Sequence, residues 1–100
     1  MKSPEQQIRE ERSVIDQLDR DLIRILKERM DAVEAVARSK SHDPGTSLFD
    51  ADRESHITRA WAEESARQGL SNDFTGRILT EVLDHSRHVQ RRWLNKASST

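Results

Sequence analysis

Between residues 5 and 40 the chain has neither Pro nor Gly, and its apolar side chains fall at Ile8, Ile15, Leu18, Leu22, Ile25, Val33 and Val36. Steps of three and four predominate, the period of one helix face rather than the alternation of a strand. The pattern predicts a helix from about Glu5 to Lys40. At ~1.5 Å per residue that helix is on the order of 50 Å long. A compact domain of this size has a radius of gyration of only ~13 Å. One chain cannot cover so long a stripe, which points to packing against a partner and hence to a helical homodimer.

Asp43-Pro44-Gly45 then marks a loop over residues 41–49. A second helix is expected from Asp50 or Asp52, where acidic side chains suit a helix N-terminus. It carries Ile57, Ala60 and Trp61, and Gly69 is its expected C-cap. Ser71-Asn72-Asp73 offers N-caps for a third helix running to about Leu94, with Ile78, Leu79, Val82, Leu83, Val89 and Trp93 on one face. The predicted class is all-α, with long, short and medium helices. Residues 1–7 form a flank, 8–94 the helical domain and 95–100 a flexible tail.

Composition sharpens the need for a partner. Hydrophobic residues make up 33% and charged residues 35% of 100 residues, yet the formal net charge is only -1. Leu, Ile, Val and Phe number 21, near the level at which chains fail to bury a core. A small core shared with a second chain fits these figures. No apolar run approaches the ~20 residues that span a bilayer. The first residues lack a secretory apolar segment. Cys is absent, which removes disulfides and thiol chemistry. A cytoplasmic protein is expected, with no membrane partner. The balanced charge gives no global attraction for nucleic acid.

Polar residues on the apolar stripes carry the chemical signal. Arg29 lies four residues after Ile25, and Lys40 four after Val36, so both sit on the first helix's stripe. Eleven residues apart, they point the same way. A buried cation needs a partner. That partner is either an acid within the protein, or water reached by a snorkelling Lys, or an anionic ligand. Arg suits a carboxylate because its planar fork binds both oxygens. On the third helix Ser86 and Gln90, four apart, interrupt the stripe. Each alone reads as a buried side chain bonded to backbone; together, opposite two cations, they would line a polar pocket between bundle helices. Asp50-Ala51-Asp52-Arg53-Glu54 reads most simply as an acidic first turn with a solvated Arg. His85 and His88 stand three apart but fall at the stripe's edge and on the charged face, which makes a poor metal site.

In order, these residues resemble the AroQ-type, all-α chorismate mutases. The matching text includes Ile8-Arg9, Arg12, Ile15-Asp16-Gln17-Leu18-Asp19, Leu22-Ile23, Glu28-Arg29-Met30 and Val36-Ala37-Arg38-Ser39-Lys40. It continues through Asp50-Ala51-Asp52-Arg53-Glu54 to Ser86 and Gln90. No single motif decides it; the ordered combination over roughly residues 8–93 does. The resemblance implies an intertwined homodimer with two sites, each completed by one Arg from the other chain, and a small dianionic substrate. It implies that Arg12 crosses the dimer to a substrate carboxylate and that Arg29 binds a carboxylate within its own chain. Lys40 would reach a carboxylate and the ether oxygen, and Gln90 that oxygen from the other side. Asp50 and Glu54 would hold the ring hydroxyl, with Glu54 accepting its proton. Ser86 would touch the ring carboxylate, and Arg53 would line the same anionic region.

The implied reaction is the pericyclic rearrangement of chorismate to prephenate, in aromatic amino-acid biosynthesis. It needs no cofactor and no metal. An enzyme can accelerate it by holding a compact conformer and by placing donors where charge grows on the breaking ether oxygen. The loop at 41–49 is not clearly family-typical. Two relatives reuse the scaffold: an isochorismate-pyruvate lyase, some of whose flavour is in Arg29-Met30-Asp31 and Trp61-Ala62-Glu63-Glu64, and a mutase of 4-amino-4-deoxychorismate, which Glu54 would tolerate. A reading of another class is a non-catalytic helical dimer serving as an interaction module.

Overall fold

The structure, a computed structural model, describes residues 1–40 and 50–98. It consists of three helices, α1 (Pro4–Lys40), α2 (Ala51–Gln68) and α3 (Asn72–Ser98), with no strand among the described residues. The expected Asp43-Pro44-Gly45 turn lies outside the described residues. The chain divides into two units, Met1–Ala32 and Val33–Thr100.

The start of α1 is set by its first four residues. The Ser3 Oγ accepts from the Gln6 backbone N–H at 3.2 Å, and the Gln6 side chain accepts from the Ser3 N–H at 3.0 Å. This reciprocal capping box satisfies two otherwise orphaned donors. Pro4 occupies the first helical position, where its missing N–H is harmless. Further along, Arg24 pairs with Glu28 at 3.1 Å and Lys27 with Asp31, both one turn apart. Such pairs add only a few tenths of a kcal/mol each. Packing within residues 1–32 supplies little more. Ile8, Val14, Ile15, Leu18, Leu22, Ile23, Ile25 and Leu26 are 42 to 69% exposed.

The second unit holds a thin core. Among the described residues, Ala37, Leu79 and Val82 are its buried apolar side chains, joined by buried Ser65, Thr75 and Ser86. On the last turns of α1 the inward face runs through half-buried Val33, buried Ala37 and half-buried Lys40, whereas Val36 is exposed. The position buried between Val33 and Lys40 is thus Ala37 rather than the expected Val36. Ile78, expected on the inner face of α3, is also exposed. Its buried stripe is Thr75, Leu79, Val82 and Ser86, spaced four, three and four.

The helices α2 and α3 pack antiparallel. Near the turn, the Ser65 and Thr75 hydroxyls bond at 2.7 Å and are buried. At the far end, Glu54 of α2 meets Arg87 of α3. Between them, Gly69 closes α2 in the left-handed region at φ 73. Its N–H donates to the Ala66 carbonyl at 3.2 Å, and the Leu70 N–H donates to Ser65 at 2.9 Å, the two bonds of a Schellman motif. The α3 helix passes the expected end at Leu94 and reaches Ser98, since residues 95–98 contain no Gly or Pro to stop it.

Candidate active site

The site is built outward from the first turn of α2. Asp50 is its N-cap, in extended conformation, and its carboxylate accepts from the Arg53 N–H at 3.0 Å. The Asp50 carbonyl accepts from the Glu54 N–H at 3.0 Å. One residue thereby fixes the backbone of both Arg53 and Glu54. Arg53 is exposed, and Glu54 is half-buried.

Glu54 is not left to solvent. The Arg87 Nε donates to Glu54 Oε2 at 3.0 Å, and Nη2 donates to Oε1 at 2.5 Å. The same guanidinium reaches Asp84 Oδ1 through Nη1 at 2.7 Å. This bidentate fork is the strongest form of the carboxylate–Arg pair. The hydrogen bond to Glu54 raises the Arg87 pKa above its ordinary value. The fork also ties the start of α2 to the stretch of α3 that holds Ser86 and Gln90.

On that stretch Ser86 is buried and its hydroxyl donates to the Val82 carbonyl at 2.7 Å. This is the local backbone bond expected of a Ser inside a helix. Gln90, one turn on, is half-buried. Lys40, the last residue of α1, is half-buried and takes part in no ion pair among the described residues. Asp50, Arg53, Glu54, Ser86 and Gln90 therefore belong to one helix pair, and Lys40 ends the segment of α1 that shares their unit. Arg12, exposed, and Arg29, half-buried, stand on α1 within the first unit.

Arg87 is the functional-site candidate that the sequence pattern hid. It sits on the charged face of α3 beside Asp84 and Arg91, where a solvated cation is the natural reading. Its partner lies 33 residues earlier, beyond any periodicity. The His85 and His88 rings have centroids 5.9 Å apart and are tilted to each other. No third potential metal ligand gathers with them among the described residues. No helix among the described residues is long and apolar enough to cross a membrane.

The chain is a three-helix, all-α protein in which a carboxylate-rich helix start packs beside the Ser86- and Gln90-bearing stretch of the third helix. The family described as chorismate mutase type II matches residues 11–91, and the chain belongs to that family. It is 32% identical over 75 residues to the T-protein of Haemophilus influenzae. The match takes in 75% of this chain and 20% of that protein, so the chain spans about a fifth of its relative's length. No solved structure matches it significantly.

Proposed function

We propose that this chain is a chorismate mutase, an isomerase that rearranges chorismate to prephenate within one molecule. The supporting observation is that Arg12, Arg29, Lys40, the Asp50-x-x-Arg53-Glu54 turn, Ser86 and Gln90 all fall inside the 81-residue family match, residues 11–91. The α2–α3 packing also sets the acidic turn against the Ser86 to Gln90 stretch.

In this reading the work is binding and electrostatics. Arg29, and Arg12 of the partner subunit, take the two substrate carboxylates with planar forks. Lys40 and Gln90 donate to the ether oxygen as its bond breaks and negative charge collects there. Holding the substrate in its folded chair replaces a conformational search with a unimolecular step. Ser86 and Arg53 support the anionic side of the ligand, and Asp50 with Glu54 receives the ring hydroxyl.

The proposal includes a homodimer. The nine large apolar residues of α1 that stand 42 to 69% exposed are the supporting feature. A monomer rarely leaves so continuous an apolar face to water. A chain without Cys suits the reducing cytoplasm, where we place it.

The test is to incubate the purified protein with chorismate and identify the product. Prephenate is the expected product. An inert protein that remains a folded dimer would favour an interaction module instead.

A further inference from the structure

We propose that Arg87 sets the substrate class of this site, by neutralising Glu54 so that the acid accepts a neutral ring hydroxyl and disfavours a ring ammonium. The inference rests on the chorismate mutase reading and deepens it.

The argument starts from lone pairs. An ionised carboxylate offers about four acceptor positions. The Arg87 fork takes one on each Glu54 oxygen, at 3.0 and 2.5 Å. Acceptor capacity remains on both atoms, so a substrate O–H can still donate to Glu54. The charge, however, is already matched. The fork is only partly solvated, with the Arg87 and Glu54 side chains 31% and 22% exposed. Asp84, which shares the guanidinium, is 60% exposed and well hydrated, so it compensates Arg87 only weakly at the ligand.

A hydroxyl is indifferent to this pairing, because its hydrogen bond needs a lone pair and no net charge. An ammonium at the same ring position gains from an unpaired carboxylate. Here it would meet a carboxylate whose partner cation stands within hydrogen-bond distance of the same oxygens. Placing a second cation beside Arg87 incurs like-charge repulsion, the usual source of discrimination against a wrong ligand. The neighbouring acid, Asp50, does not restore the balance. One of its oxygens is engaged by the Arg53 N–H at the helix start, and Arg53 itself brings another positive charge to the turn. Glu54 alone is compatible with either substituent; the Glu54–Arg87 pair is selective. Arg87 acts through Glu54 and is thus a specificity-determining residue rather than a catalytic one.

The experiment compares kcat/KM for chorismate and for 4-amino-4-deoxychorismate in the wild-type protein and in three variants. Arg87→Met and Arg87→Gln remove the charge, and Arg87→Lys retains it. The amino-to-hydroxyl ratio of kcat/KM should rise roughly tenfold or more in both neutral variants, the scale of one close charge pair near a protein surface. In Arg87→Lys it should stay within about twofold of wild type, since the cation remains. Because the readout is a ratio within each variant, a general loss of folded protein cancels. Unchanged ratios in the neutral variants, or a rise in Arg87→Lys equal to theirs, would overturn the assignment. A wild-type preference for the amino compound would overturn it too while leaving a mutase in place. Turnover of neither substrate by the wild type would remove the parent reading, and the assignment with it.

Discussion

Lys40 combines position and chemistry in a way that a surface Lys does not. It ends α1, stands half-buried and belongs to no ion pair among the described residues. In the proposed reaction its ammonium faces the oxygen on which charge develops. Removing one such donor typically costs about 3 kcal/mol in the barrier. Lys40→Ala is therefore expected to lower turnover of chorismate by at least ~100-fold while the far-ultraviolet circular dichroism stays that of the wild type. Near-normal turnover would remove Lys40 from the mechanism. The sequence made Lys40 visible because a cation on an apolar stripe is a local anomaly. Arg87 was invisible for the opposite reason: it is a cation on a charged face, and only the α2–α3 packing reveals Glu54 as its partner.

At the scale of elements, the helices were legible wherever the determinant is short-range. The Gly69 stop follows from the left-handed φ that Gly adopts without strain, and the α1 start falls one residue before the expected Glu5, on a Ser3–Gln6 capping box that the structure adds. The choice of inward residue was less legible. Ala37 rather than Val36 is buried, although hydropathy alone favours Val. The α2–α3 contact also relies on a polar pair in its core, Ser65 with Thr75, at 2.7 Å. Thr75→Val should destabilise the fold by about 1–3 kcal/mol, because it leaves the Ser65 hydroxyl buried with its partner gone. Adding Ser65→Ala should recover much of that loss, because both polar groups are then absent. Urea denaturation of the two singles and the double closes the cycle. Additive losses would mean that the two hydroxyls are not coupled.

At the scale of the whole molecule, the governing feature is the apolar face of α1. Its period was plain in the sequence, and its exposure follows from the fact that residues 1–32 have almost nothing of their own to pack against. If a second copy covers it, Leu22→Asp, at a position now 58% exposed, should convert the protein to monomers at micromolar concentration in sedimentation equilibrium and abolish activity. An unchanged mass would place the dimer contact elsewhere. A shared site makes a further demand. Arg12→Ala and Arg29→Ala should each be inactive, yet mixing them under conditions of subunit exchange should restore part of the activity, because a heterodimer can assemble one site with both Arg residues. Demonstrated exchange without recovery would mean that each site draws on a single chain.

The Asp50 carboxylate has a consequence for how this site can change over generations. It starts α2 by accepting from the Arg53 N–H, and in the proposed site it also faces the ligand. A lineage drifting under selection for foldability alone could exchange it for Asn, Ser or Thr, which cap comparably. Under selection for the reaction as well, those neighbours become uneven, because only Asp brings a negative charge. The helix thus shields the position from most of the amino-acid alphabet, and the accessible route away from the present specificity is a single cap-preserving step.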